Sequence, residues 1–276
     1  MRTILAPVLA LTLSAACQVV LADKEQLAIE GSTTIYHLSG LVARQFMREH
    51  RDIRVSVGNG GSSEGIRALL AGEVDIANSS RFISSEELAA AMTAGIYPVP
   101  FRIADDCIIP VVHKSNKLKN LSREDLRRIY SGEIGNWKEL GGEDRTIRVM
   151  SRDPGSGTFG VWRDLVMEDD EMREDAERKS RSSDVVRAVS EHRGAIGYIG
   201  LGHLTANIKP LRVDGVMGSL YSVRDGSYAL SRPLFMFTRG WPEGELLEFI
   251  NFALDPDHGQ TIVRKSGFVP VHTTKN

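Results

Sequence analysis

The chain has 276 residues, 42 % of them apolar, enough to bury a sizeable core in one large or two medium domains. Its 34 Lys and Arg stand against 36 Asp and Glu, so there is no polycationic surface to wrap nucleic acid. Positive charge at any site has to come from a few placed arginines.

Arg2 opens a short positive region, residues 4–16 are apolar, and Val20-Leu21-Ala22 precedes Asp23. Residues 1–22 read as a secretory signal peptide, too short and too poorly flanked for a stable membrane span. Cys17 offers the alternative of a lipid-anchored cysteine. Leu13 sits one place too far upstream for that signal, so a soluble exported chain is the preferred reading. With the signal removed, Cys107 is alone and no internal disulfide can form. Its neighbours Ile108, Ile109, Val111 and Val112 make it a small core residue of a buried strand.

From residue 26 to about residue 102, strand and helix patterns alternate, which predicts a mostly parallel sheet flanked by helices. Leu27-Ala28-Ile29 runs into Gly31-Ser32-Thr33-Thr34 and a helix bearing Leu38, Leu41, Val42 and Phe46. The alternating Ile53, Val55 and Val57 run into Gly60-Gly61-Ser62-Ser63 and a helix through Ile66, Leu69 and Leu70. Residues 74–78 form a short strand ending in Ser79-Ser80-Arg81, beyond the carboxyl end where open α/β sheets bind ligands. Ser84 and Glu87 make a capping box, and Gly95 ends that helix.

Residues 106–113 form a long apolar strand, followed by the polar Lys114-Ser115-Asn116. Ser122 caps a helix with Leu126, Ile129 and Tyr130. Ile147 and Val149 then alternate in a strand leading to Ser151-Arg152-Asp153-Pro154-Gly155-Ser156-Gly157-Thr158 and a helix through Phe159, Trp162, Leu165 and Val166. Residues 168–181 are densely charged and read as a solvated helix or loop. A helix from Asp184, a glycine-rich strand at 194–200, a strand at 234–238 and a helix at 245–254 complete the pattern. The division this suggests is one lobe from residues 23–113 and 222–276, with a second, 114–221, inserted into it through two crossing segments near 113 and 225.

Three strand–Gly/Ser/Thr–helix junctions point at one negative charge. Glycine lets the backbone approach a ligand, Ser and Thr add hydroxyls, and first-turn N–H groups lack helical partners. Arg152 adds a planar five-donor cation. Taken singly, Ser62 and Thr33 are more often helix caps, and Arg81 more often a surface ion pair. Their joint occurrence with Arg152 favours an oxyanion site. Trp137 and Trp162 read as packing residues, and His37, His113, His192 and His203 show no metal-ligand spacing, so no metal or cofactor is expected.

Rivals of another class are weaker. Gly155-x-Gly157-x-x-Gly160 formally matches a dinucleotide fingerprint, but no second strand with a terminal acid is expected near residues 168–181. A serine-dependent phosphatase using Ser156 or Ser62 lacks both a G-x-S-x-G elbow and a histidine base placed by sequence.

Gly31-Ser32-Thr33-Thr34, Gly61-Ser62-Ser63, Ser80-Arg81 and Arg152-x-x-Gly155-Ser156-Gly157-Thr158 occur in the order seen in phosphate-binding proteins of bacterial phosphate ABC importers, and residues 121–137 and 259–271 also resemble that family. The resemblance spans nearly the whole mature chain. It implies a two-lobed periplasmic binding protein of type II, a non-enzymatic monomer that captures inorganic phosphate and hands it to permease subunits. Carried over, Thr33 and the Thr34 backbone, Ser62, and Ser80 with Arg81 bind from one lobe; Arg152, Ser156, Gly157 and Thr158 bind from the other. The membrane enters only through the permease or a lipid on Cys17. Some family members have an aspartate at the place of Ser80, where it accepts the proton of hydrogen phosphate. Here Asp153 and Glu64, and more weakly Asp75, are the candidates for that role. The same fold binding another oxyanion, or serving a sensory or adhesive exported protein, is the alternative.

Overall fold

A computed structural model describes residues 25–168 and 170–272. The signal-peptide and Cys17 expectations fall on residues outside these. The strands are β1 Glu25–Gly31, β2 Ile53–Val57, β3 Ile76–Ser79, β4 Val99–His113, β5 Asn120–Leu121, β6 Arg148–Arg152, β7 Glu177–Lys179, β8 Ala195–Gly200, β9 Ile208–Pro210, β10 Arg212–Val213, β11 Ser231–Thr238 and β12 Val269–Pro270. The helices are α1 Tyr36–Glu49, α2 Ser62–Ala71, α3 Ser85–Thr93, α4 Arg123–Ser131, α5 Gly157–Trp162, α6 Ser182–Glu191, α7 Leu220–Arg224, α8 Gly244–Leu254 and α9 Gly259–Lys265.

One curled ten-stranded sheet runs β2-β1-β3-β11-β4-β8-β6-β7, with β9 and β12 also on β4. Its ends are parallel, β1 between β2 and β3, and β6 between β7 and β8. Its centre is antiparallel, because β11 and β4 carry the chain across. The fifteen-residue β4 pairs with β11 as far as Cys107, then with β8 from Ile108 onward. A single strand thus belongs to both halves.

The apolar pattern explains the layers. Leu38, Val42 and Phe46 turn one face of α1 inward, where Phe46 meets Phe249 and Phe252 of α8 edge-on. Ile66 and Leu69 of α2 pack with Ala77, Phe235 and Phe237 on the opposite face of the same sheet. A separate cluster extends from Cys107 to Leu230 around Trp137, Trp162 and Tyr198. The two tryptophans are fully buried packing residues, as their sequence contexts suggest. Capping boxes at Ser84/Glu87 and Ser122/Asp125 start α3 and α4 where the sequence places them.

Residues 168–181 are not simply a solvated helix or loop. They include β7, which pairs in parallel with Met150, Ser151 and Arg152 of β6. Its charged composition reflects a sheet edge, where Glu177 meets Arg148 and Lys179.

Candidate anion-binding site

The three Gly/Ser/Thr junctions do converge, at the carboxyl ends of β1, β2 and β6, where they meet Ser80 just past β3. Gly31 has φ +137°, a conformation strained for any side chain, and its Cα lies against the Asn78 backbone. This draws Ser32 over β3, so Ser32 N donates to Asn78 O at 2.8 Å and Ser32 Oγ to Ser80 Oγ at 2.9 Å. Gly61, at φ +111°, precedes Ser62 and leaves α2 without a side-chain cap. Ser62 is therefore not a cap; its Oγ accepts from Ser80 N at 3.2 Å.

The β6–α5 junction faces these groups. A Cβ on Gly157 would lie 2.5 Å from Ser62 Oγ and 2.6 Å from Ser80 Oγ, so glycine is what lets the two segments meet. Ser63 N donates to Gly155 O at 3.1 Å, and the Thr34 and Thr158 hydroxyls are 3.0 Å apart. Thr34, Ser62, Ser80, Arg152, Ser156 and Thr158 are all buried. Ser156 serves as the α5 N-cap, accepting from Thr158 N at 3.2 Å and Phe159 N at 3.4 Å.

Arg152 is 1 % exposed. Its Nε donates to Lys179 O at 2.9 Å, Nη1 to Ser182 Oγ at 3.1 Å, and Nη2 to Ser180 O at 2.8 Å and Thr33 Oγ1 at 3.0 Å. Every one of these acceptors is neutral. Burial pulls the guanidinium down to about 10, which still leaves it charged at neutral pH. Tyr198 OH accepts from Arg152 N at 3.2 Å and lies 2.9 Å from Ser151 Oγ, while its ring stacks on Trp162 at 4.2 Å. An outer cavity of about 240 Å³ opens beside Arg152, Ser156, Gly60 and Gly61.

Arg81 stands apart from this cluster. Its guanidinium pairs with Glu87 at 2.6 and 2.7 Å and reaches the site's edge only through Ser63 Oγ at 2.9 Å. Of the candidate proton acceptors, Glu64 is taken by Arg67 on the surface and Asp75 by Ala28 N. Asp153 lines the outer cavity, beyond Arg152.

Behind the site lies a pair the sequence did not single out. Arg232 of β11 and Asp106 of β4 form a buried ion pair at 2.8 Å, their side chains 1 % and 0 % exposed. Arg232 Nη1 donates to Thr158 Oγ1 at 3.0 Å and Nη2 to Thr34 Oγ1 at 3.4 Å. The only signal in the sequence is an arginine at the start of one apolar strand and an aspartate in another. Ser32, Ser182 and Tyr198 were likewise missed as supports.

Comparison with known proteins gives the family. Residues 20–257 match the PBP superfamily domain. The chain is 30 % identical over 250 residues to the phosphate-binding protein PstS of Bacillus subtilis, covering 90 % of this chain and 82 % of that one. It belongs to this family. The chain is also 29 % identical to Protein SphX of Synechococcus elongatus, over 91 % of this chain and 79 % of that one. Among solved PstS-like structures, a phosphate ABC transporter substrate-binding protein from Clostridium perfringens, with bound phosphate, has a TM-score of 0.83 at 31 % identity, over 90 % of this chain and 100 % of that one. An ABC-type phosphate transport receptor from Vibrio cholerae has a TM-score of 0.73 at 27 % identity, over 88 % and 99 %. The mixed α/β fold with its curled central sheet, and its likeness to type II periplasmic binding proteins, agree with the architecture that the resemblance implies.

Proposed function

We propose that this chain is an exported, non-enzymatic receptor that captures inorganic phosphate between its lobes and presents it to an ABC importer. The observation that carries this reading is Arg152, a buried cation whose partners are all neutral. An uncompensated charge in such surroundings costs several kcal/mol, and an anion seated against it offsets that cost. Thr33, the Thr34 backbone, Ser62 and Ser80 contact the anion from one lobe, and Arg152, Ser156, Gly157 and Thr158 from the other. Arg81 supports the site through Ser63 rather than by direct contact.

Family membership supports phosphate as the ligand. Charge-assisted bonds contribute roughly 1.5–3 kcal/mol each, and micromolar affinity needs about 8 kcal/mol. A handful suffices even after lobe closure. The lobes comprise residues 23–113 with 222–276, and 114–221, and they hinge where β4 and the segment before β11 cross. Permease subunits are the partners, and residues 1–22 direct export.

A thermal-shift panel of phosphate, sulfate, molybdate and a phosphonate tests the reading, since a ligand that binds only the folded state raises Tm. A rise with phosphate is expected; no response to any anion overturns the proposal. Turnover of p-nitrophenyl phosphate that disappears in Ser156→Ala contradicts the non-enzymatic assignment.

A further inference from the structure

The carboxyl end of β1 is tied to the β2–α2 loop at three successive points. Gly58 N donates to Ile29 O at 2.7 Å, and Gly61 N to Gly31 O at 2.9 Å. Between these two backbone bonds the acceptor is a side chain. Glu30 Oε1 accepts from Gly60 N at 2.6 Å and from Gly31 N at 2.8 Å. One carboxylate oxygen thus holds the first residue of two Gly/Ser/Thr junctions, those that carry Thr33, Thr34 and Ser62.

The loop leaves a slot for that carboxylate. Gly58 does not have the left-handed backbone that calls for glycine. A Cβ there would run into Glu30 Oε2, with Glu30 Cδ at 2.6 Å and Oε1 at 2.9 Å. All three of these nearest atoms belong to the end of one side chain. The missing side chain at residue 58 makes room for Glu30.

Charge and geometry pull in opposite directions here. A carboxylate beside an anion site repels the ligand. As an acceptor, it orders two turns of the site before the ligand arrives, which lowers the cost of binding. We propose that Glu30 is a positioning residue: its carboxylate fixes the β1–α1 and β2–α2 junctions in the form that receives the anion, without touching the anion. This rests on the anion-capture reading above and adds a residue that preorganises that site. What counts is the acceptor oxygen and not the charge, which sets Glu30 apart from a group that takes the proton of hydrogen phosphate.

Calorimetric titration with inorganic phosphate, on the wild-type chain and on single and double variants, tests this, with Tm measured alongside. Glu30→Ala removes the acceptor, and phosphate affinity is expected to fall about fivefold or more. Glu30→Gln keeps an oxygen for Gly31 N and Gly60 N and drops the charge. Its affinity is expected to stay within about twofold of wild type or to rise.

Gly58→Ala drives the carboxylate from its slot, and at little cost in Tm, because what it displaces is the far end of a flexible side chain. It is expected to weaken phosphate binding about as much as Glu30→Ala does. Combined with Glu30→Ala it adds nothing, since no carboxylate is left to displace. Gly58→Ala and Glu30→Gln decide the matter even where Glu30→Ala unfolds the chain. A loss in Glu30→Gln equal to that in Glu30→Ala overturns the positioning role, because the charge is then what the site needs. Wild-type affinity in Glu30→Ala or in Gly58→Ala, or additive losses in the double variant, overturns it as well. Absence of phosphate binding by the wild-type chain brings down the underlying reading instead.

Discussion

Arg152 Nη2 donates to Thr33 Oγ1 at 3.0 Å, across 119 positions of sequence. That bond joins the end of β6 to the turn after β1 and holds a buried cation against the other half of the sheet. Truncation to alanine removes the charge and leaves Thr33, Ser182 and two carbonyls without it. We expect Arg152→Ala to lower phosphate affinity at least about tenfold, or about 1.4 kcal/mol, in a titration that also finds the chain folded. Lysine recovers only part of the loss, since a point charge cannot meet as many acceptors as the guanidinium fork.

Gly157→Ala isolates lobe contact from folding. Its backbone is not in the left-handed region, but a Cβ there runs into Ser62 Oγ and Ser80 Oγ, at 2.5 and 2.6 Å. The expected result is at least about tenfold weaker phosphate binding with little change in Tm. A variant that binds normally means that the two junctions do not need to approach this closely.

Arg81 and Arg152 make a controlled pair. Arg81 is neutralised by Glu87, so its field at the site is weak. Arg81→Ala is expected to cost no more than about fivefold in phosphate affinity, against at least about tenfold for Arg152→Ala. Equal losses place Arg81 in direct contact with the anion.

Tyr198→Phe removes one oxygen and nothing else. It leaves the buried Arg152 N–H without its partner and the Ser151 hydroxyl with only a long contact to Arg152 O, 3.5 Å, while the stack on Trp162 survives. Unsatisfied buried groups cost about 1–3 kcal/mol, which denaturant titration resolves. No change in stability shows that water takes the place of the hydroxyl.

Cys107 is buried, and burial with the neighbouring Asp106 charge pushes its thiol well above the ordinary range. It stays protonated at neutral pH and is unreactive. Iodoacetamide is expected to label it only after denaturation; rapid labelling of the native chain contradicts its burial.

Local pattern made much of this molecule readable. Capping boxes at Ser84 and Ser122 and the apolar stripe of α1 are short-range signals. So are the three Gly/Ser/Thr junctions and Arg152, whose spacing survives without knowledge of the sheet order. Long-range pairing was not readable. Arg232 and Asp106 are 126 positions apart and meet only because β11 and β4 are antiparallel neighbours. The parallel β7 was hidden because an edge strand carries charges like those of a solvated loop. Ser156 and Ser62 look alike in sequence, yet one caps its helix and the other does not, since Gly61 holds the α2 N-cap position.

A crystal structure of the chain grown with inorganic phosphate tests the central claim most directly. The account predicts a tetrahedral anion within hydrogen-bond distance of the Arg152 guanidinium and of hydroxyls from both lobes, Ser62 and Thr158 among them. Phosphate seated elsewhere, with Arg152 still bonded only to Thr33, Lys179, Ser180 and Ser182, contradicts it.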